Sequence, residues 1–336
     1  MKISEIGEFG LIARLSRQVE RHDTGVVVGI GDDAAVLEVQ PGQQLVATCD
    51  MMVEGRHFSL AYIHPEQLGH RLLAANLSDI AAMGGRPRWA LVGLGVRDGL
   101  EVETLEGIYR GMAALASLHG VTVVGGDTCR NPERLVLDLT LLGEVPRGRY
   151  LLRSGARPGD LVAVTGTLGD AAAGLAWLRS GRANRTDEGC YLMDRHLTPQ
   201  PRVRAGQLML ASRAVSAADD ISDGLASEAN EIAAASGVRL RLEAGQIPIS
   251  RQARWAAKSL GGNPLRWALR GGEDFELLVT LAAEAYPELA AQLRTELDLP
   301  LTVIGQVEEG RGVALVEPDG RELELKAEGY NHFREE

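Results

Sequence analysis

The chain has 336 residues, 45% hydrophobic and 24% charged, a globular composition longer than the roughly 100–200 residues one core usually serves. A net charge of −11 with no basic run speaks against sequence-independent binding to nucleic acid, and no stretch of about 18 apolar residues offers a membrane span. Cys49, Cys129 and Cys190 form no CxxC pair, so zinc and dithiol chemistry drop out and reduced thiols in a cytoplasmic protein are expected. Residues 1–17 mix charges with isolated apolar positions, unlike a signal-peptide core. Residues 25–30 are a β-branched run, and residues 44–50 alternate through Leu45, Ala47 and Cys49; both read as strands ending in acids. Pro65 opens a helix that Gly84-Gly85 closes, a second helix over 102–119 stops at Gly120, and strands follow at 121–124 and 134–143. The turn SGARPGD at 154–160 puts a boundary near 145–155, giving two domains, 1–150 and 151–336. The second half holds strands at 161–165, 215–218, 275–280 and 301–307, helices from about Asp170 and after Ser222, and a hairpin through Pro318-Asp319-Gly320. An α/β (α+β) two-domain fold is expected.

Of the 35 basic residues only Lys2, Lys258 and Lys326 are lysine, and none follows a glycine. A GxxxxGK[ST] phosphate loop is therefore excluded, and neither GxSxG nor HExxH occurs. What recurs instead is acid after glycine or at a strand end: Gly31-Asp32-Asp33, Asp50, Gly125-Gly126-Asp127, Asp219-Asp220 and Gly271-Gly272-Glu273-Asp274. Any one such pair is an ordinary turn sequence. Their repetition after apolar runs points to several Mg²⁺ ions, each held by one or two carboxylates together with substrate phosphates. Asp79 argues separately, because on a helix from Pro65 it shares a face with Leu68, Leu72, Ala75 and Ala82. An unpaired carboxylate there is costly, so Asn76 one turn earlier, or an ion, must answer it. Between Ala218 and Gly224 stand three aspartates whose repulsion needs a counter-charge, and Ser222 is expected to cap the next helix. His57, within Glu54-Gly55-Arg56-His57-Phe58, is ambiguous by itself.

Taken in order, Gly7-Glu8-Phe9, GIGDDAAV, the TCD before Met51, EGRHF, NLSDIAAMGG, VVGGDT, RSGARPGD, VTGTLGDAAAGL, DISDGL, RGGEDFELL and EGYNHF resemble the thiamine-monophosphate kinase family. Its superfamily also holds aminoimidazole-ribonucleotide synthetase, selenophosphate synthetase and a hydrogenase-maturation protein. The resemblance covers nearly the whole chain. It implies an N-terminal α/β domain that dimerises through its sheet, a C-terminal α/β domain, and ATP bound between them. It further implies metal ligands at Asp33, Thr48, Cys49, Asp50, Asp79, Asp127, Asp220 and Asp223. Nucleotide contacts would fall on Tyr109, Gly126, Asp127, Arg153 and Ser222, and thiamine phosphate would meet His57, Glu273 and Tyr330. One position departs: Cys49 stands where the family commonly carries threonine, and a thiol is a poor Mg²⁺ ligand, which leaves its side chain and its carbonyl both open. The lack of lysine between Lys2 and Lys258, and of cysteine near either terminus, speaks against the selenophosphate and hydrogenase-maturation branches.

The reaction so implied is the final step of thiamine diphosphate biosynthesis, with ATP as phosphoryl donor. A phosphate monoester with a second pKa of about 6 is already an anionic nucleophile at neutral pH, so neither a general base nor a covalent residue is required. Bridging Mg²⁺ and Arg153 would reduce repulsion between two polyanions, and Tyr330 and Glu273 would meet the cationic ring system. Two other readings stay open at this point: an aminoimidazole-ribonucleotide synthetase that activates an amide oxygen with ATP, and a nucleotide- and metal-binding regulator without turnover.

Overall fold

The chain divides into two units, Met1–Ile80 with Gly85–Arg149, and Ala81–Gly84 with Tyr150–Glu336. A computed structural model describes residues 1–19, 25–30, 34–182 and 186–327, without the side chains of residues 4, 8 and 9.

The first unit opens with α1 (Ile3–Val19), broken at Gly7, where φ is 68°. Leu11, Leu15 and Val19 recur every fourth residue and are buried, which gives this helix its apolar stripe. Then come β1 (Val26–Val28), β2 (Val36–Leu37), β3 (Gln43–Val53), α2 (Pro65–Ala82), β4 (Arg86–Val96), α3 (Val102–His119), β5 (Thr122–Arg130) and β6 (Val136–Pro146). β1 and β2 form a small antiparallel pair. The main sheet runs β3-β6-β4-β5, with β4 and β5 parallel and the other pairs antiparallel. Parallel neighbours need a crossover, which α3 supplies. That helix has the bounds its pattern predicts and closes on a left-handed Gly120 whose N–H donates to the Ala116 carbonyl. β4 lies inside the sheet although no sequence signal announces it. Pro87, Gly93 and Gly95 all weaken a strand pattern, and the ladder is irregular beside Pro87.

The second unit contains β7 (Leu161–Thr165), α4 (Asp170–Arg179), α5 (Asp187–Leu197), α6 (Val203–Ser212), β8 (Val215–Asp220), α7 (Leu225–Ser236), β9 (Arg239–Glu243), α8 (Arg251–Leu260), α9 (Pro264–Arg270), β10 (Leu277–Leu281), α10 (Tyr286–Leu297), β11 (Leu301–Glu308), β12 (Gly312–Val316) and β13 (Glu322–Glu324). Its sheet order is β13-β12-β9-β11-β7-β10-β8, antiparallel except where β12 meets β9. β10 reads Leu-Leu-Val-Thr-Leu and is buried throughout, as a strand between two neighbours and under helices should be. Leu225, Ala229 and Ile232 face the core from α7, where Leu240, Leu278 and Ile304 also lie. The expected hairpin through Pro318-Asp319-Gly320 joins β12 to β13. Because β10 runs antiparallel to β8 with Leu277 opposite Asp220, the loop leaving β8 and the loop entering β10 meet at one end of the sheet. No described helix is long and apolar enough to cross a membrane.

Candidate active site

In the first unit the acids cluster on β3 and its neighbours. Side chains alternate along a strand, so Thr48 and Asp50 point to one face and Cys49 to the other. Thr48 Oγ1 donates a hydrogen bond to Asp79 Oδ2 on α2. Asn76 is turned elsewhere, donating from Nδ2 to the Leu72 carbonyl at 3.1 Å, so threonine from the sheet, not the helix neighbour, answers Asp79. Of the two answers expected for Asp79, the Asn76 one is not used, because the strand across the interface supplies Thr48. Asp50 Oδ2 is buried and finds no hydrogen-bond partner among the described residues. Burial, then Asp79, then Asp138 push the Asp50 carboxyl up to about 7. An orphaned buried oxygen amid like charges is what a hard cation satisfies, and the donors present are carboxylate and hydroxyl oxygens, which suit Mg²⁺. Among the described residues no three His, Cys, Asp or Glu side chains already converge on one point, so any cation here is completed by phosphate and water.

On the opposite face Cys49 Sγ lies 3.2 Å from Asp138 Oδ1. A hydrogen bond with Thr140 pulls its thiol down, but burial and Asp138 outweigh it and hold the thiol above its ordinary value. A protonated thiol beside a carboxylate is no Mg²⁺ ligand, which leaves the carbonyl as the route by which Cys49 would serve. Asp138 and Asp127 both stand in register with Gly93, one strand to either side, about 9–10 Å apart by strand spacing. Both line a cavity of ≈ 1010 Å³ with Tyr109, Gly126, Leu91 and residues of α1. Tyr109 is almost fully buried, and burial drives its phenol well up. Gly126 is required by space: a Cβ there would stand 2.0 Å from the Val92 carbonyl oxygen. Asp127 Oδ1 accepts from the Thr128 N–H at 2.9 Å. His57 Nδ1 accepts from the Val53 N–H at 2.9 Å, which assigns the proton of the neutral ring to Nε2, and Arg71 fixes the turn by donating to the His57 carbonyl at 3.0 Å.

The second unit carries its acids on the loop after β8. Asp219 is buried against the Arg153 guanidinium, 2.8 Å away, and Arg153 also reaches Glu231 at 2.7 Å. This is the counter-charge the aspartate run requires. Burial pushes the Asp219 carboxyl up while Arg153 draws it down. Ser222 does not cap α7: Gly224 occupies the cap position, and the Ser222 hydroxyl turns to Glu228 Oε1 at 3.5 Å. Glu228 performs the service from inside the helix, accepting the Asp223 N–H at 2.7 Å. Its other oxygen is buried without a partner among the described residues, and burial pushes its carboxyl up to about 8. Glu273 reaches His196 Nδ1 at 3.4 Å from a left-handed backbone, φ 60°. Beneath it, Asp274 accepts the Gly169 and Ala171 N–H groups at 2.6 and 3.2 Å. Burial pushes the Asp274 carboxyl up to about 7 against the Gly169 bond and Arg195.

The structure therefore brings Thr48, Asp50 and Asp79 together in one unit, and Asp220, Ser222, Asp223 and Glu273 together in the other; Asp33 and Tyr330 lie outside the described residues. Sequence reading passed over Asp138, Glu228 and His196. Asp138 did carry a signal, since aspartate is depleted in strands and this one stands in the middle of an alternating Leu run. Glu228 and His196 carried none, being ordinary helix residues until the loops they hold are in place.

Residues 31–145 match the family described as AIR synthase related protein, N-terminal domain, and residues 157–317 match AIR synthase related protein, C-terminal domain. The chain is 41% identical over 330 residues to the thiamine-monophosphate kinase of Bacillus subtilis (strain 168), covering 97% of this chain and 99% of that one. Among solved structures it is similar to thiamine-monophosphate kinase from Stenotrophomonas maltophilia K279a, with a TM-score of 0.82, 39% identity and coverage of 94% and 98%. It is also similar to AaThiL complexed with AMPPCP and TMP, with a TM-score of 0.78, 36% identity and coverage of 99% of each chain.

Proposed function

The chain belongs to the AIR synthase related family and, within it, to the thiamine-monophosphate kinases, ATP-dependent enzymes that phosphorylate thiamine monophosphate; from that premise we propose that transfer is direct, in line and assisted by Mg²⁺ held on scattered aspartates. The observation that carries this reading is the buried oxygen of Asp50, partnerless among the described residues, near Asp79, with Asp138 adding like charge from the other face of the sheet. Asp50, Asp79, Asp127 and Asp138 with Thr48 would hold cations in the first unit, and Asp220 and Asp223 in the second, with Asp33 added from outside the described residues. Bound Mg²⁺ neutralises charge on the phosphoryl oxygens and lowers the repulsion between donor and acceptor.

The chain's own residues position and orient. Tyr109 and Gly126 line the cavity offered to the nucleotide, whose apolar wall suits a base and whose Asp127 end suits a metal-bound phosphate. In the second unit the family resemblance nominates Ser222 and Arg153 for polar contacts to the nucleotide, and Arg153 is held charged by Asp219 and Glu231, against burial. His57, Glu273 and Tyr330 would meet the acceptor, the carboxylate and ring complementing its cationic thiazolium. No side chain has to remove a proton, because the acceptor phosphate is the nucleophile. A homodimer through the first unit's sheet is supported by its open face, where Leu45 and Met51 remain 51% and 56% exposed. A cytoplasmic setting suits three free cysteines.

The test follows ADP and phosphorylated product with thiamine, thiamine monophosphate and aminoimidazole precursors as acceptors. Thiamine monophosphate is expected to turn over and thiamine to do so very poorly, since a neutral hydroxyl would need a general base. Equal turnover with thiamine would sink the acceptor logic. ADP formed only with the purine precursor would move the assignment to the synthetase branch.

A further inference from the structure

We infer that Asp274 is a positioning residue for acceptor recognition: its buried carboxylate ties the loop bearing Glu273 to the first turn of α4 and so fixes where the Glu273 carboxylate points. The inference rests on the reading that Glu273 meets the acceptor.

The loop from Gly271 to Glu276 is not free to choose its own shape. Glu273 and Phe275 both sit at positive φ, 60° and 49°, on either side of Asp274. Phe275 is bulky and buried, and such a residue in the left-handed region is a genuine outlier whose conformation the surroundings must impose. Three backbone bonds join this loop to the loop after β8. Glu273 N–H donates to the Ser222 carbonyl at 2.7 Å, Phe275 N–H to Ile221 at 2.9 Å, and Ile221 N–H to Glu276 at 2.8 Å. The fit is close enough that Gly272, itself at φ 66°, has no room for a side chain: a Cβ would lie 2.4 Å from the Ser222 carbonyl oxygen.

Two carboxylates anchor the pair of loops from below. Glu276 has no exposed surface and accepts from Thr165 Oγ1 at 2.7 Å, from Arg195 at 2.9 Å and from Arg202 at 2.7 and 2.5 Å. Asp274, only 1% exposed, takes the Gly169 and Ala171 N–H groups, two of the donors that a helix N-terminus leaves without intrahelical partners. Glu276 anchors the strand that follows, whereas Asp274 sits between the two left-handed residues. Release of Asp274 therefore frees the backbone at Glu273 itself. A carboxylate misplaced by about 1 Å loses much of its value to a bound cation, and the loss appears as acceptor affinity.

The experiment is a double-mutant cycle between Asp274→Asn and Glu273→Gln, with KM for thiamine monophosphate, KM for ATP, kcat and Tm measured on the full-length enzyme. Asp274→Asn keeps the volume but offers one good acceptor where the carboxylate offers two. It is expected to raise KM for thiamine monophosphate about tenfold or more, with KM for ATP changed less than about threefold. In the Glu273→Gln background the same substitution should have little further effect on acceptor KM, because it acts through Glu273. If Asp274→Asn does not fold, Ala171→Pro removes one of the two donors in a first helical turn, where proline is tolerated, and should give the same selective rise, smaller in size. Fully additive effects, or an equal rise in both KM values, would overturn the positioning role alone. An unchanged acceptor KM in Glu273→Gln would overturn the acceptor role of Glu273, and this inference with it.

Discussion

In the second unit Glu276 is wholly buried, yet Thr165, Arg195 and Arg202 satisfy both of its oxygens, and although burial pulls the other way these partners hold its carboxyl below the ordinary value. In the first unit Asp50 keeps a buried oxygen with no partner among the described residues, and its carboxyl is pushed up to about 7. Both are acids placed at considerable cost of desolvation. The first is compensated from within the chain and stiffens what is built on it. The second is not compensated among the described residues, and on the reading proposed above a bound cation would supply what is missing.

The sharpest way to break the comparison is Glu276→Gln. It strands Arg195 and Arg202 against a neutral amide and should cost about 3–5 kcal/mol of stability, seen as a lowered midpoint in urea. A loss below about 1 kcal/mol would mean that the network is not the scaffold it is taken for.

Asp50→Asn should do the reverse, leaving the urea midpoint unchanged or raised while turnover falls about a hundredfold or more, since charge stabilisation by a metal is worth several kcal/mol. Asp127→Asn should lose turnover in the same range. ADP release across a Mg²⁺ titration measures both, and near wild-type turnover at low Mg²⁺ in a folded variant would remove that residue from the ligand set.

The same contrast sets a pH dependence. A carboxyl raised from 3.8 to about 7 on folding binds a proton in the folded state that the unfolded chain has released, so its contribution to stability falls as pH rises through that window and is flat above it. Without divalent cations Tm should decline from about pH 4 to about pH 7, less steeply in Asp50→Asn than in the unaltered chain. Parallel curves would show that Asp50 is not the group responsible. The smallest effect expected is from Thr48→Val, which deletes the hydroxyl that Asp79 accepts from and should cost about 1–3 kcal/mol, read by the same denaturation series.

The motif order from Gly7 to Phe333 was enough to identify the family and the reaction, and the glycine–acid pattern was enough to nominate Asp50, Asp127, Asp220 and Glu273, because spacing along the chain carries that information. Periodicity gave α3 to the residue, since Val102 to His119 is amphipathic and ends on a glycine. It missed β4, whose glycines and proline disguise a strand held by neighbours on both sides, and also α5, α8 and α9, although Thr186, Ser250 with Gly261, and Asn263 with Pro264 are cap signals that stand in the sequence; α6 has no side-chain cap to announce it. Which group answers which charge was decided only by the tertiary structure. Thr48 and not Asn76 meets Asp79, Glu228 and not Ser222 steadies the loop after β8, and Asp138 enters the cluster from a strand 88 residues beyond Asp50. A carboxylate's partner is set by what lies within a few ångströms in space, and in a folded chain that neighbour is most often distant in sequence.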